Sequence, residues 1–519
     1  MTMMADSTML SSVLVLDDVV KDMTTLRQLV STPDEIFVAG VWKRGEGAAI
    51  NSVNPATGEV FASLHGATVE DVELAVQGAT KSLSASGWAT WLPHERAIVL
   101  HRIASKIQEN ADLIAALQTL DTGKTLRETR ALAMSAAGTF KFAAAAVETL
   151  EDAITPSRGE NLTMSIYEPL GIVGAITPWN SPIASDAQKL APALAAGNAV
   201  IVKPPVWAPW VSLLLARLCE EAGLPEGLLS VLPGPGRSVG DALARHPKVG
   251  KISFTGGTST GRALGHVAAE KIMPITLELG GKSPTIIFAD ADIDQAIAGV
   301  LYGIFSSTGQ SCIAGSRVFI HKSIYAEVVD RLVVATRALR VGPGSDPRTQ
   351  VGPLVAHAHR DEVAAMVEAA REAGAQILCG GGAPHGEAMA AGAYYMPTII
   401  AGVGNDALIC QEEIFGPVAV VLPFDDESDL VAQANDTVFG LACGIWTADY
   451  RRALRTAKAI AAGTVWVNTY KQFSISTPFS GTKDSGLGTE KGREGIRSYM
   501  RQKSIYLDLS GTPLPWAKQ

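Results

Sequence analysis

The stretch GIVGAITPWNSPIASDAQKLAPALAAGNAVIVKPP, residues 171–205, decides the fold. Residues 171–176 form a β-branched run closed by Thr177-Pro178, which predicts a strand. Residues 184–196 carry the apolar spacing of a helix and stop at Gly197, where a C-cap glycine belongs. Residues 199–202 form a second short strand, ended by Pro204-Pro205. Strand, helix and strand in so short a span make a βαβ unit, which needs parallel strands and a covering helix.

The alternation continues outward in both directions. Downstream come a helix at 211–222, a strand at 228–232, a short helix at 241–245 and a strand at 251–254. That strand runs into a Gly-rich turn and a helix at 260–270, followed by a strand at 275–277. A second series has strands at 284–288, 317–321, 375–379 and 418–424, with helices at 293–305, 325–340, 360–373 and 427–435. Two α/β domains in tandem fit this better than one. Upstream, the turn Asn54-Pro55-Ala56-Thr57-Gly58 precedes helices at 69–85, 93–110 and 112–119. An Ala-rich helix is expected at 131–150.

The composition excludes several classes of function. In 519 residues, 47% are apolar and 18% charged, which supports sizeable cores and excludes a disordered or collagen-like chain. Lys and Arg number 43 against 52 Asp and Glu, a net charge of −9. Such a chain has no global basic field for nucleic acid or an anionic membrane, so neither is an expected partner. Five widely spaced cysteines, with no Cys-x-x-Cys, suit a reducing compartment better than a disulfide framework or a zinc site. No metal is expected, and no apolar run reaches the ~20 residues of a membrane span. Residues 1–35 read as a mobile or loosely docked extension of a cytoplasmic protein, because Asp6, Asp17, Asp18 and Asp22 are wrong for a signal or transit peptide.

Five segments carry chemistry. Gly256-Gly257-Thr258-Ser259-Thr260-Gly261 follows a strand and opens a helix, where backbone N–H groups can hold phosphate. It has neither the Gly-x-Gly-x-x-Gly pattern nor a Walker lysine, and such a loop is more often only a turn. Gly234-Pro235-Gly236 is similar. Cys312 sits in Gly309-Gln310-Ser311-Cys312-Ile313-Ala314-Gly315, a polar, Gly-flanked segment where a thiol can be reached and act as a nucleophile. The other four cysteines have apolar neighbours and read as small buried hydrophobes. Glu278, in Leu277-Glu278-Leu279-Gly280-Gly281-Lys282, ends an apolar strand, where desolvation makes a carboxylate a serviceable base. A surface Glu or a partner for Lys282 fits that segment equally well. Asn180, in Thr177-Pro178-Trp179-Asn180-Ser181-Pro182, lies beyond a strand end and can donate to an oxyanion, or merely tighten a turn. Lys203 also ends a strand, within reach of a hydroxyl or phosphate, although most lysines are only solvated surface residues.

Together these segments resemble the aldehyde dehydrogenase superfamily. The resemblance runs from Phe37-Val38-Ala39-Gly40 to residues 499–507. It rests most on 277–282, 309–314 and their spacing. Further matches are Pro178-Trp179-Asn180, residues 254–261, Glu412-Glu413-Ile414-Phe415-Gly416-Pro417 and Gly463-Thr464-Val465-Trp466-Val467-Asn468. The resemblance implies an α/β fold with a Rossmann-type cofactor domain (36–150 and 170–280) and an α/β catalytic domain (281–484). A β-hairpin oligomerisation element (151–169 and 497–511) would join a neighbouring subunit, giving a homodimer or homotetramer.

It also implies a mechanism. Cys312 attacks a small-molecule aldehyde, Asn180 and the Cys312 N–H hold the oxyanion, hydride leaves for NAD or NADP, and Glu278 activates water to release the acid. Lys189 and Glu490 resemble the family's proton-relay pair. The cofactor positions carried over are Ile176, Thr177, Pro178, Trp179, Lys203, Gly236, Gly256, Gly257, Thr258, Gly261, Leu279, Glu413 and Phe415. Lys203 matches the residue at the adenosine ribose, and Glu413 the one at the nicotinamide ribose. Where many NAD-preferring members carry Glu, three residues past Lys203, this chain has Val206. That removes a repulsion against a 2′-phosphate, so use of either cofactor is expected, with NAD ahead on family base rates.

The substrate tunnel departs as well. Ser181, Ser185 and Gln188 replace larger apolar residues, and Ser311 and Ile313 flank the nucleophile, so a bulky or polar aldehyde is expected. At Gln188, members acting on succinate semialdehyde carry an Arg for the distal carboxylate, and its absence argues against that substrate. Three other readings compete. A CoA-acylating enzyme usually lacks the Glu at 278. A non-enzymatic relative would be free to lose Cys312, Glu278 or Asn180. A Cys hydrolase would need a His base, and none of the nine His sits in a recognisable motif.

Overall fold

The chain is a mixed α/β protein in a computed structural model that describes residues 35–386, 389–512 and 516. The expected extension at 1–35 lies outside the described residues except for Glu35, which already begins the strand Glu35–Val38. No helix among the described residues is long and apolar enough to cross a membrane.

The first sheet has eight strands. From one edge to the other they are Val41–Arg44, Glu35–Val38, Leu229–Val231, Ala199–Lys203, Ile172–Ile176, Val249–Thr255, Ile275–Glu278 and Gly486–Leu487. The five from Leu229–Val231 to Ile275–Glu278 are parallel. Buried on both faces, they read as continuous apolar runs, as parallel strands must. The chain builds outward from Ile172–Ile176 on one side, then crosses to Val249–Thr255 on the other. A crevice opens beyond the carboxyl ends of the strands at such a reversal. The far strand, Gly486–Leu487, is antiparallel to Ile275–Glu278, with Gly486 opposite Glu278. The end of the chain thus returns to the first sheet, which the expected boundary at 484 did not include.

The second sheet has seven strands, in the order Gln376–Cys379, Thr398–Ala401, Val418–Phe424, Arg317–His321, Pro284–Ile287, Ala442–Trp446 and Thr464–Val467. All are parallel except the first. Three of these strands, Thr398–Ala401, Ala442–Trp446 and Thr464–Val467, and the helix Tyr450–Ala459 are absent from the sequence expectations.

Most predicted helices stand within a few residues of their expected limits. Val69–Ala85, Ile293–Phe305 and Glu427–Asn435 are examples. The Ala-rich helix differs, running from Leu126 to Val147. Its start is set by a capping box. Thr125 Oγ1 accepts from the Glu128 N–H, and the Glu128 carboxylate accepts from the Thr125 N–H at 3.1 Å. The turn at 54–58 joins the hairpin strands Ala49–Val53 and Val60–His65, with Gly58 at φ +73°.

A third sheet stands apart. Met500–Asp508 pairs along its whole length with Asn161–Pro169, which pairs in turn with Ala153–Thr155. The outer edge of Met500–Asp508 has no strand partner among the described residues.

Candidate active site

Three adjacent parallel strands deliver one side of the site. Ile172–Ile176 runs into Thr177-Pro178-Trp179-Asn180, Val249–Thr255 into Gly256-Gly257, and Ile275–Glu278 into Leu279-Gly280-Gly281. Beyond their ends lies a cleft of about 910 Å³. It is lined by Ile176, Thr177, Pro178, Trp179, Asn180, Lys203, Gly236, Gly256, Gly257, Glu278, Leu279, Cys312, Glu413 and Phe415, all named from sequence. Thr258 and Gly261 are not in the lining. Thr260 takes that place, and Gly261 instead lets its helix close on Leu279, since a Cβ there would stand 2.5 Å from Leu279 Cδ2.

The thiol comes from the other sheet. The helix Ile293–Phe305 ends in a turn with Ser307, Thr308 and Gly309 all at positive φ. That turn is tied down by its neighbours. The Ser307 N–H donates to Glu128 Oε1 at 2.6 Å, Thr308 Oγ1 to the Gly352 carbonyl at 3.0 Å, and the Val355 N–H to Gln310 Oε1 at 2.8 Å. Asn180 Nδ2 donates to the Gln310 carbonyl at 3.0 Å, which brings its amide against the cysteine loop. The double glycine makes this approach possible. A Cβ on Gly281 would stand 2.3 Å from the Cys312 carbonyl oxygen, and one on Gly280 would stand 2.5 Å from Glu413 Oε2.

Of the five cysteines only Cys312 is not fully buried. Access does not make it a thiolate, however. Burial, with the Glu413 and Glu278 charges, pushes its thiol up to about 12. Glu278 is buried, and neither carboxylate oxygen has a hydrogen-bond partner. Burial, then the Glu490 charge, holds its carboxyl well above the usual range. The reading of Glu278 as a partner for Lys282 fails, since both groups are buried without partners.

Glu490 forms a buried ion pair with Lys189 at 2.5 Å. Lys189 Nζ also donates to Ser253 Oγ at 3.2 Å, and the Tyr499 hydroxyl donates to the same oxygen at 3.1 Å. Glu490 arrives here because Gly486–Leu487 pairs beside Glu278.

At the outer end, Lys203 Nζ donates to the carbonyls of Pro204 and Gly234, and burial lowers its pKa to about 8. Gly236 and Gly257 have nothing within 4 Å of where a Cβ would stand, so their backbones are bare to the cleft. Glu413 Oε1 accepts from the Gly281 N–H at 3.0 Å, and burial raises its carboxyl to about 7. Trp179 meets Phe415 edge-on at 5.3 Å and Trp207 at 5.7 Å.

Sequence reasoning missed His359 and Glu362, which also line the cleft. They share the helix His357–Glu372, and His359 Nε2 lies 2.9 Å from the Phe415 carbonyl. Their spacing carries no motif, so only packing reveals them. Ser181, Ser185, Gln188, Ser311 and Ile313 lie outside the cleft lining. Four are half-buried and Ile313 is buried.

The aldehyde dehydrogenase family model matches residues 42–505. A betaine aldehyde dehydrogenase of Brucella anthropi is 42% identical over 484 residues, 92% of this chain and 98% of that protein. Among solved structures, a putative aldehyde dehydrogenase from Burkholderia cenocepacia superposes with a TM-score of 0.91 at 38% identity, covering 93% of this chain and 99% of that one. A betaine aldehyde dehydrogenase from Staphylococcus aureus in complex with NAD+ gives 0.93 at 32% identity, covering 96% and 99%. On the family match and these identities the chain belongs to the aldehyde dehydrogenase family.

Proposed function

We propose that this protein oxidises an aldehyde to a carboxylate with NAD or NADP through a covalent adduct on Cys312. The observation that carries this is the convergence of Cys312, Asn180 and Glu278 on one cleft. The cleft suits a dinucleotide. Gly236 and Gly257 leave open space for phosphate beside a helix start, and Lys203 and Glu413 stand where ribose hydroxyls can be held. When bound, the nicotinamide supplies the acceptor for the hydride that the adduct gives up.

The chain's own residues do the rest. Cys312 Sγ adds to the carbonyl carbon, and its proton passes to the Glu278 carboxylate, whose basicity is raised by burial. The Asn180 amide and the Cys312 N–H hold the oxyanion. After oxidation an acyl group remains on Sγ. Glu278 then takes a proton from water, the hydroxyl adds to the acyl carbon, and the C–S bond breaks to return the thiol and release the acid. Glu490, Lys189 and Ser253 are hydrogen-bonded to one another beside Glu278, an arrangement that supports their taking the proton onward.

Either cofactor fits this reading, with NAD ahead. Val206 lines the cleft just past Lys203 and offers no carboxylate to a ribose, nor a cation to a 2′-phosphate. Ser181, Ser185 and Gln188 support a bulky or polar aldehyde. The open edge of Met500–Asp508 supports a homodimer or homotetramer, and the unpaired cysteines a cytoplasmic setting. The experiment is reduced-nicotinamide absorbance over a panel of aldehydes with NAD and NADP, with wild type and Cys312→Ala side by side. Turnover that vanishes in the variant is expected. Turnover that survives would overturn the covalent route.

A further inference from the structure

Two lysines beside the nucleophile have no part in the chemistry above. Lys471 sits in a segment pinned to both flanks of the cysteine loop. The Tyr470 hydroxyl donates to the Ile313 carbonyl at 3.0 Å, just past the thiol. Lys471 Nζ donates to Ser306 Oγ at 2.8 Å, in the turn before it. Lys491 directly follows Glu490, and its Nζ stands 3.8 Å from the ring centroid of Phe473 and 5.2 Å from that of Phe479.

Neither ammonium group has an ion-pair partner among the described residues. Both interact electrostatically with Cys312. Both residues hold left-handed backbones, at φ +54° and +60°. Such a conformation is strained for a residue with a side chain and persists where the surroundings hold it. Lys124, buried and without an ion pair, lies near Lys471, and burial with the Lys124 charge lowers the Lys471 amine to about 7, so a carboxylate bound beside it would restore its charge. The nearby carboxylate of Glu128 is already engaged by the N–H groups of Ser307 and Thr125.

We propose that the aldehyde oxidised here carries a carboxylate, and that Lys471 is the cation that reads it. This rests on the assignment of Cys312 as nucleophile. A buried carboxylate needs a charged hydrogen-bonding partner. Gln188 does not supply one, and Lys471 supplies it from another element. A quaternary ammonium would need an aromatic face, and Lys491 already occupies that of Phe473. This distinguishes the chain from what the name of its Brucella relative would suggest.

The test compares kcat/KM for matched aldehydes. The pairs are succinate semialdehyde against butanal, and 4-carboxybenzaldehyde against 4-methylbenzaldehyde, with betaine aldehyde as the cationic arm. In wild type the carboxylate member of at least one pair should lead its neutral partner by about tenfold or more, the worth of one charge-assisted hydrogen bond. Lys471→Met should collapse that ratio towards one, mainly through KM, and Lys471→Arg should restore much of it. Equal rates for charged and neutral partners, or betaine aldehyde as the best substrate, would overturn this inference alone. A ratio unchanged in Lys471→Met would overturn the role of Lys471. Absence of turnover with every aldehyde would overturn the enzymatic reading itself.

Discussion

Burial pushes the Cys312 thiol up to about 12 and holds the Glu278 carboxyl well above the usual range. A buried carboxyl with no hydrogen-bond partner is costly to keep, and its raised basicity is the return. Glu278→Gln, which can take a proton neither from the Cys312 thiol nor from water, should lower both the burst of reduced cofactor and steady turnover, the latter by about 10²–10⁴-fold. A steady rate like that of wild type in stopped-flow traces would remove Glu278 from deacylation. The acid limb of kcat should lie above the ordinary carboxylate range, because Glu278 must lose its proton before it can accept one from water. Part of that elevation comes from the Glu490 charge, so Glu490→Gln should move the limb to lower pH. Glu413 sets a second pH dependence. Its carboxyl is raised to about 7, so the carboxylate proposed to hold the ribose forms as pH rises through that value. Cofactor affinity measured by fluorescence should rise from pH 6 to 8, within about one unit either side of that value. Glu413→Gln should flatten the dependence.

At the scale of elements, the loop after Ile275–Glu278 is the joint on which the site closes. Its glycines are a matter of contact rather than dihedral freedom, since neither Gly280 nor Gly281 is at positive φ. Gly281→Ala puts a methyl group 2.3 Å from the carbonyl oxygen of Cys312, so the cysteine loop must move. Overpacking of this kind costs about 1–3 kcal/mol. The expected result is a modest fall in denaturation midpoint with a much larger fall in kcat. A variant with full activity would show that the two loops do not need their close approach. The helix Pro182–Ala195 is tied to the end of the chain through Lys189 and Glu490, both buried. Lys189→Met leaves the Glu490 charge unpaired and should destabilise by about 3–5 kcal/mol in denaturant titration. The double change with Glu490→Leu should cost less than the single one.

Across the whole molecule, the sheet of Ala153–Thr155, Asn161–Pro169 and Met500–Asp508 stands outside both main cores. It exposes Ile154, Tyr506 and Leu507. An open strand edge with apolar residues seeks a partner strand. Tyr506→Asp combined with Leu507→Lys should lower the mass seen by light scattering while thermal stability of the cores persists. An unchanged mass would remove this edge as a subunit contact.

Much of the architecture was legible because it is written locally. The β-branched run before Thr177-Pro178, the helix stopped at Gly197 and the strand before Pro204 depend on spacing and on Gly and Pro, which neighbouring residues alone impose. The same holds for Leu277–Lys282 and the segment around Cys312, where composition marks a strand end and an approachable thiol. Short strands such as Thr398–Ala401 escaped notice because so brief an apolar run has no periodicity to read. Charge state was not legible at all. Whether Cys312 is a thiol, whether Glu278 finds a partner and whether Lys471 is left unpaired depend on desolvation by atoms brought from distant parts of the chain. The return of Gly486–Leu487 to the first sheet, which carries Glu490 and Lys491 to the site, is of the same kind. The sequence by itself determined the elements and the reactive residue types. Only the tertiary structure decided which of them meet and in which protonation state, because burial and long-range pairing belong to the folded chain as a whole.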